Sequence, residues 1–135
     1  MEASVANLQH HDDRVWIVVY ECCPGGEVSV ATLLEGEGRR IVACQDGKSL
    51  LDSVVNHRPN AVVAILRREC HGDLGVLHLL RRTIPEVPVI FVANDTSLAV
   101  EKVVRDLRPF YYAVAPVDLG EIESAIEAAL EHRKP

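Results

Sequence analysis

Four continuous apolar runs, spaced along the chain, constrain its fold more than any other feature of the sequence. They span residues 15–20, 61–66, 87–93 and 111–115, and most are rich in β-branched residues. A half-exposed strand alternates apolar and polar side chains, whereas these runs do not. They therefore predict strands covered on both faces, as in a parallel sheet. A weaker run at residues 40–44 brings the predicted number of strands to five.

Helical patterns separate and follow these runs, because apolar residues recur there at the spacing of a helix with one buried face. The predicted helices span residues 27–35, 47–58, 74–82, 97–107 and 117–132. Their buried stripes include Leu33, Val55 and Leu79, and Asp118 is the predicted N-cap of the last helix, at capping-box spacing from Glu121. Five β-α units in series predict an α/β fold with a doubly wound five-stranded parallel sheet, a flavodoxin-like three-layer sandwich.

Length and charge limit what such a chain can do. We assign residues 14–132 to one domain, with residues 1–13 as a loose N-terminal segment and residues 133–135 as a tail. No apolar run approaches the roughly 20 residues of a membrane helix, and no secretory signal begins the chain, so we expect a cytoplasmic protein without a membrane partner. The net charge is −6, and basic pairs such as residues 67–68 and 81–82 are too few for a nucleic-acid-binding face.

Three passages of the sequence resemble a known family. Residues 58–63 read RPNAVV, residues 79–90 read LLRRTIPEVPVI, and residues 112–119 read YAVAPVDL. In this order and at this spacing they resemble the RPDxVV, LLRRxxPxxPVI and YLxKPxxL passages of response-regulator receiver (CheY-like) domains. The resemblance runs from about residue 14 to about residue 130 and implies the receiver version of the predicted fold.

The chemistry of that family depends on five side chains at the strand ends. Two adjacent acids help to hold Mg²⁺, an Asp accepts the phosphoryl group, and a Thr or Ser and a Lys read the phosphorylated state. The resemblance places at these positions, in the same order, Tyr20 and Glu21, Ile65, Ala93 and Ala115. Mg²⁺ prefers carboxylate oxygens, and phosphoryl transfer relies on positioning and charge neutralisation. The joint loss implies a degenerate member, a pseudo-receiver that is not phosphorylated by the usual mechanism.

The resemblance also implies two conformational properties. The peptide bond that precedes the conserved proline is often cis in this family, so we expect a cis bond between Ala115 and Pro116. We further expect an apolar crevice filled by Ile65, which locks the domain in one state instead of letting it switch.

A receiver without phosphorylation chemistry resembles an interaction module in bacterial two-component-type signalling, without enzymatic activity and without a cofactor. The family's usual interaction face joins the fourth helix, the fifth strand and the fifth helix, and we expect a protein partner or a second copy of the chain to bind there. Tyr112 stands at the family's aromatic switch position. The candidate residues of this face are Lys102, Arg105, Asp106, Tyr111, Tyr112 and Glu121.

Two alternatives remain open from the sequence. An unconventional acidic residue, Glu69 or Asp73, could accept a phosphoryl group in place of the missing Asp. Alternatively, a metal or redox site could form where Cys22, Cys70 and His71 follow strand ends, since Cys and His suit Zn²⁺. The spacing of these residues is irregular and no C-x-x-C motif is present, so neither ligand count nor geometry is set by the sequence.

Overall fold

The computed structural model describes residues 15–21, 30–36, 38–67, 72–94 and 97–133. Five strands alternate with five helices, as the sequence predicts. The strands are β1 (Val15–Glu21), β2 (Arg39–Cys44), β3 (Ala61–Leu66), β4 (Val89–Ala93) and β5 (Tyr111–Val114). The helices are α1 (Val30–Leu34), α2 (Gly47–His57), α3 (Leu74–Thr83), α4 (Leu98–Leu107) and α5 (Leu119–Arg133). Residues 1–14 lie outside the described residues. They comprise the predicted loose N-terminal segment and residue 14, the first of the predicted domain. Residues 134 and 135 of the predicted tail also lie outside them.

The strands form one parallel sheet in the order β2-β1-β3-β4-β5, which confirms the predicted doubly wound architecture. All residues of β3 and β4 are buried, so these strands are covered on both faces. A parallel sheet directs the carboxyl ends of all its strands to one edge, and ligands of open α/β sheets bind outside that edge.

Side chains of successive strand residues alternate between two hydrophobic clusters. One cluster joins the sheet to α2, α3 and α4 and contains Tyr20, Leu50, Leu77, Phe91 and Val103. We call this side of the sheet the three-helix face. The other cluster, on the two-helix face, joins the sheet to α1 and α5 and contains Ile65 and Ile126. The three longest continuous apolar runs thus supply buried side chains to both hydrophobic clusters.

Capping side chains fix where three of the helices begin. The carboxylate of Asp46 accepts a hydrogen bond from the backbone N–H of Ser49 (2.8 Å), and the hydroxyl of Ser97 accepts one from Val100 (3.4 Å). Asp118 caps α5 as predicted, because its Oδ1 accepts a hydrogen bond from the N–H of Glu121 (2.7 Å). These bonds satisfy N–H groups that have no partner within the helix.

Three leucine and valine residues that the sequence assigned to buried helix stripes are instead exposed. Leu33, Val55 and Leu79 expose 47%, 59% and 46% of their surface, and each is next to a buried apolar residue of its helix. Consecutive helix residues point about 100° apart. Only one member of each adjacent pair therefore faces the core, and the buried stripe inferred from the spacing of apolar residues was wrong at these three positions.

No helix in the described part of the chain combines the length and the apolar character needed to span a bilayer.

Two leucines on α3 give a direct test of this packing. Leu77 is fully buried in the cluster of the three-helix face, whereas Leu79 is half exposed. We expect Leu77→Ala to lower the free energy of unfolding by about 2–5 kcal/mol, because it removes buried methyl groups and leaves a cavity. Leu79→Ala should change it by about 0.5 kcal/mol or less. Urea unfolding followed by circular dichroism measures both, and equal losses would contradict the assigned orientation of α3.

Candidate functional site

The carboxyl edge of the sheet brings together the positions that the sequence singled out. Glu21 at the end of β1 lies beside Ile65 at the end of β3. The backbone N–H of Ala115 donates a hydrogen bond to the carbonyl oxygen of Ala93 (2.8 Å), which joins the ends of β4 and β5. The bond between Ala115 and Pro116 is cis, as expected. Four of the five predicted site positions therefore belong to one edge, on adjacent strand ends.

Ile65 places a hydrocarbon side chain at the end of β3, where the resemblance puts the acceptor Asp. Its side chain is buried and belongs to the cluster of the two-helix face, with Ile17 and Val19 of the neighbouring strand. It carries no atom that can attack phosphorus or bind a cation, and its burial stabilises the contact between the sheet and its helices. The alanines at 93 and 115 offer neither a hydroxyl nor an ammonium group.

The carboxylate of Glu21 has a structural partner. Its side chain is buried, and Oε1 accepts a hydrogen bond from the backbone N–H of Val30 at the start of α1 (2.9 Å). A carboxylate at a helix start is favoured by the N–H groups left unpaired there and by the helix dipole. The remaining acid of the expected acidic pair thus holds α1 against the sheet.

Tyr20 points to the three-helix face, on the opposite side of the sheet from Ile65. It is fully buried, and its hydroxyl donates a hydrogen bond to Oδ2 of Asp73, immediately before α3 (2.6 Å). Asp73 precedes Leu74, the first residue of α3, but its carboxylate does not cap that helix. The candidate acceptor Asp73 is therefore bonded to a side chain on the opposite face of the sheet from Ile65. The sequence indicated the loss of an acid at Tyr20 but gave no signal for this contact.

The start of α2 packs closely against the same region. A Cβ atom added to Gly47 would lie 2.6 Å from Cγ2 of Val76 and 3.0 Å from Oδ1 of Asp73. Such distances are too short for packed atoms, so this position requires glycine. The start of α2 thus lies beside the Asp73 carboxylate, which is partly buried.

The residues of the metal or redox alternative, Cys22, Cys70 and His71, lie outside the described residues, and so does Glu69. Within the described ranges, no group of three His, Cys, Asp or Glu side chains is placed to hold a metal ion. Cys44 is buried, and burial raises the pKa of its thiol to about 11, which leaves it protonated and a poor nucleophile near neutral pH.

The α4–β5–α5 face, formed by Leu98–Leu107, Tyr111–Val114 and Leu119–Arg133, receives most of the predicted interaction residues. Tyr111 faces α5, and its hydroxyl donates a hydrogen bond to the Glu121 carboxylate, which raises the pKa of the hydroxyl above its ordinary value. Lys102 and Arg105 are exposed on α4. Asp106 is exposed too, but its Oδ2 lies 2.7 Å from Nδ1 of His78, so its carboxylate faces α3 instead of β5.

Three exposed apolar residues lie along β5: Phe110 just before the strand, with its ring 5.5 Å from that of His132 on α5, and Tyr112 and Val114 within it. Phe110, Tyr112 and Val114 are 37%, 38% and 45% exposed, and the ring of Tyr112 stacks on that of Phe91 with centroids 6.0 Å apart. We call these three residues the β5 row. Only Tyr112 was selected from the sequence. The alternation of side chains along a strand is the signal that could have added Val114, two positions after Tyr112.

Solved receiver domains superpose on this chain over most of its length. The receiver domain of an HD domain-containing protein from Pseudomonas fluorescens superposes with a TM-score of 0.72 at 20% identity, over 89% of this chain and 97% of that one. A CheY-like receiver domain protein from Methanospirillum hungatei gives 0.74 at 17% identity, over 89% and 96%. A response regulator receiver protein from Pseudomonas putida gives 0.71 at 18% identity, over 85% and 97%.

The chain has the fold of a response-regulator receiver domain. No protein-family model matches the sequence, and no curated protein matches it significantly. At 17–20% identity the likeness concerns the arrangement of the backbone. The function of this receiver-like domain must therefore be argued from its own side chains.

The contribution of the hydrogen bond between Tyr20 and Asp73 to stability can be tested. We expect Tyr20→Phe to lower the free energy of unfolding by about 1–2 kcal/mol, because it removes a hydrogen bond to a carboxylate and leaves that carboxylate without its donor. Tyr112→Phe is the matched control, since the described residues offer no hydrogen-bond partner to its hydroxyl. Chemical denaturation measures both variants, and indistinguishable losses would show that the bond does not contribute.

Proposed function

We propose that this chain is a pseudo-receiver: a non-enzymatic protein-interaction module of two-component-type signalling that does not accept a phosphoryl group by the usual Asp mechanism. The observation that carries the proposal is the buried hydrocarbon side chain of Ile65 at the end of β3, beside Glu21. The fold supports the signalling context, and the side chains at the strand ends support the loss of phosphorylation.

Phosphoryl transfer places strict demands on such a site. An oxygen nucleophile must be in line with the leaving group, and cations must neutralise the charge on the transferred phosphoryl group. Ile65 provides no oxygen, Ala93 no hydroxyl and Ala115 no cation. Glu21 retains a carboxylate, but that carboxylate accepts the N–H of Val30, and a metal ion would have to compete with this bond.

The same contacts favour one conformation over two. A switchable receiver exchanges charged contacts at its strand ends, whereas here a buried isoleucine and two internal hydrogen bonds fill the corresponding places. Rearrangement would expose Ile65 to water and break bonds of Glu21 and Tyr20, so both costs oppose it.

The α4–β5–α5 face supplies the surface for a partner. β5 pairs with β4 on one side only in the described structure, so it is an edge strand, and the half-exposed β5 row lies next to that edge. Edge strands and exposed aromatic residues are features that protein interfaces use. We propose that a protein partner or a second copy binds here, inside a bacterial cytoplasm, with neither nucleic acid nor a membrane as partner.

The phosphorylation arm of the proposal is tested with acetyl phosphate and Mg²⁺, followed by intact mass spectrometry. We expect no mass increase corresponding to a phosphoryl group, because Ile65, at the acceptor position, carries no nucleophilic atom. Asp73→Asn and Glu69→Gln are run in parallel. A phosphoryl adduct that either variant abolishes would overturn the proposal in favour of an unconventional acceptor.

The interaction arm is tested by comparing wild-type protein, Tyr112→Ala and Val55→Ala. Val55 is the control because it is exposed on α2, outside the α4–β5–α5 face. We expect Tyr112→Ala to weaken self-association, or the capture of a partner by immobilised protein, about ten-fold, as for a contact worth roughly 1–2 kcal/mol. Val55→Ala should have no effect. Sedimentation velocity and quantitative pull-down provide the measurements, and equal behaviour of the two variants would show that another face is used.

A further inference from the structure

A basic depression of about 780 Å³ lies where α3 and α4 end. Four arginines line it, although the chain as a whole has a net charge of −6 and only 14 lysines and arginines. Two come from the last turn of α3 and two from the end of α4, so the sequence does not place them side by side. They are Arg81, Arg82, Arg105 and Arg108.

Arg81 has a structural role that holds the depression in shape. Its Nε donates a hydrogen bond to the carbonyl oxygen of Leu107 (2.7 Å), and its Nη2 donates one to that of Arg108 (3.1 Å). Its Nη1 donates to the carbonyl oxygens of Pro85 (2.9 Å) and Val87 (3.3 Å). The guanidinium thus joins the ends of both helices to the approach to β4.

The other three arginines have no such partners. Within the described residues, no hydrogen bond or ion pair is made by the guanidinium groups of Arg82, Arg105 or Arg108, and the nearby carboxylate of Asp106 is paired with His78. Burial lowers the pKa of the Arg81 guanidinium, and the positive charge of the neighbouring Arg108 lowers it further. An anion placed among them would relieve the repulsion.

The carboxyl ends of α3 and α4 offset part of the positive charge of the four arginines. Each helix carboxyl end carries the equivalent of about −0.5 charge, so two ends provide about −1. Asp106 provides another −1, and the four arginines provide +4. A positive excess of about 2 remains, which is more than a dipole-compensating arrangement requires.

An exposed leucine distinguishes this surface from a simple anion site. Leu79 lines the depression with 46% of its surface exposed, next to the aliphatic stems of the arginines. Its lining includes no Phe, Tyr or Trp, the rings on which bases of a single-stranded nucleic acid usually stack, and the single imidazole, of His78, is paired with Asp106. The net negative charge of the chain would also repel a polyanion. An apolar floor with a basic rim fits a peptide better than a free phosphate.

We propose that this depression binds an acidic peptide segment of a partner protein, with its carboxylates at Arg82, Arg105 and Arg108 and an apolar side chain on Leu79. Arg105, which the sequence assigned to the α4–β5–α5 face, contributes to this second surface. The site does not include the β5 row, so the two interactions are separable.

The test is an NMR titration of the full chain with the peptide acetyl-Glu-Glu-Leu-Glu-Glu-amide. We expect saturable shifts of the backbone amides at Leu79, Arg82 and Arg105, and affinity that falls as salt is added. Arg105→Gln and Arg108→Gln should each weaken binding about three- to five-fold, the usual range for one exposed ion pair. Leu79→Ala should weaken it too, while the Tyr112→Ala and Lys48→Gln controls should bind like wild type.

Several outcomes would overturn this assignment. The first is the absence of saturable shifts up to about 1 mM peptide. The second is equal binding of a control peptide in which glutamine replaces glutamate. The third is equal affinity of the Arg105→Gln and Lys48→Gln variants for the acidic peptide. Tighter binding of an oligonucleotide of equal charge would point to nucleic acid instead. Self-association that is lost in Arg105→Gln but kept in Tyr112→Ala would identify a second copy as the occupant.

Discussion

The burial of the central strands on both faces is the constraint on which the rest of this structure depends. Every residue of β3 and β4 is buried, so the sheet must be covered by helices on both sides. Parallel strands can be joined only by crossovers, and each crossover returns the chain to the same end of the sheet. The carboxyl ends of all five strands therefore meet at one edge, and whatever stands on those strand ends forms the site.

At this edge, three side chains of the strand ends make contacts within the domain. Ile65 adds to the core of the two-helix face, and Glu21 stabilises the start of α1. Tyr20 bonds to Asp73 on the other face of the sheet. These contacts join the ends of β1 and β3 to the helices on both faces of the sheet.

Two regions of the described surface differ in polarity, although the net charge of the chain does not indicate this. The β5 row is apolar and lies at a sheet edge, whereas the depression at the ends of α3 and α4 concentrates four of the fourteen basic residues. Arg81 cannot serve freely at that second surface because its guanidinium joins two helix ends. The described surface therefore carries two chemically different patches, one apolar and one basic.

The sequence by itself determined the alternation of strands and helices, the parallel sheet, the cap of α5 at Asp118 and the hydrocarbon at Ile65. These follow from local periodicity, or from positions counted along one strand. Only the tertiary structure decided which member of an adjacent apolar pair faces the core, as with exposed Leu79 beside buried Leu80. It also decided that Tyr20 meets a carboxylate 53 positions away, and that two arginines of α3 meet two from the end of α4. Such contacts depend on how whole elements pack, and no local pattern in the chain encodes that packing.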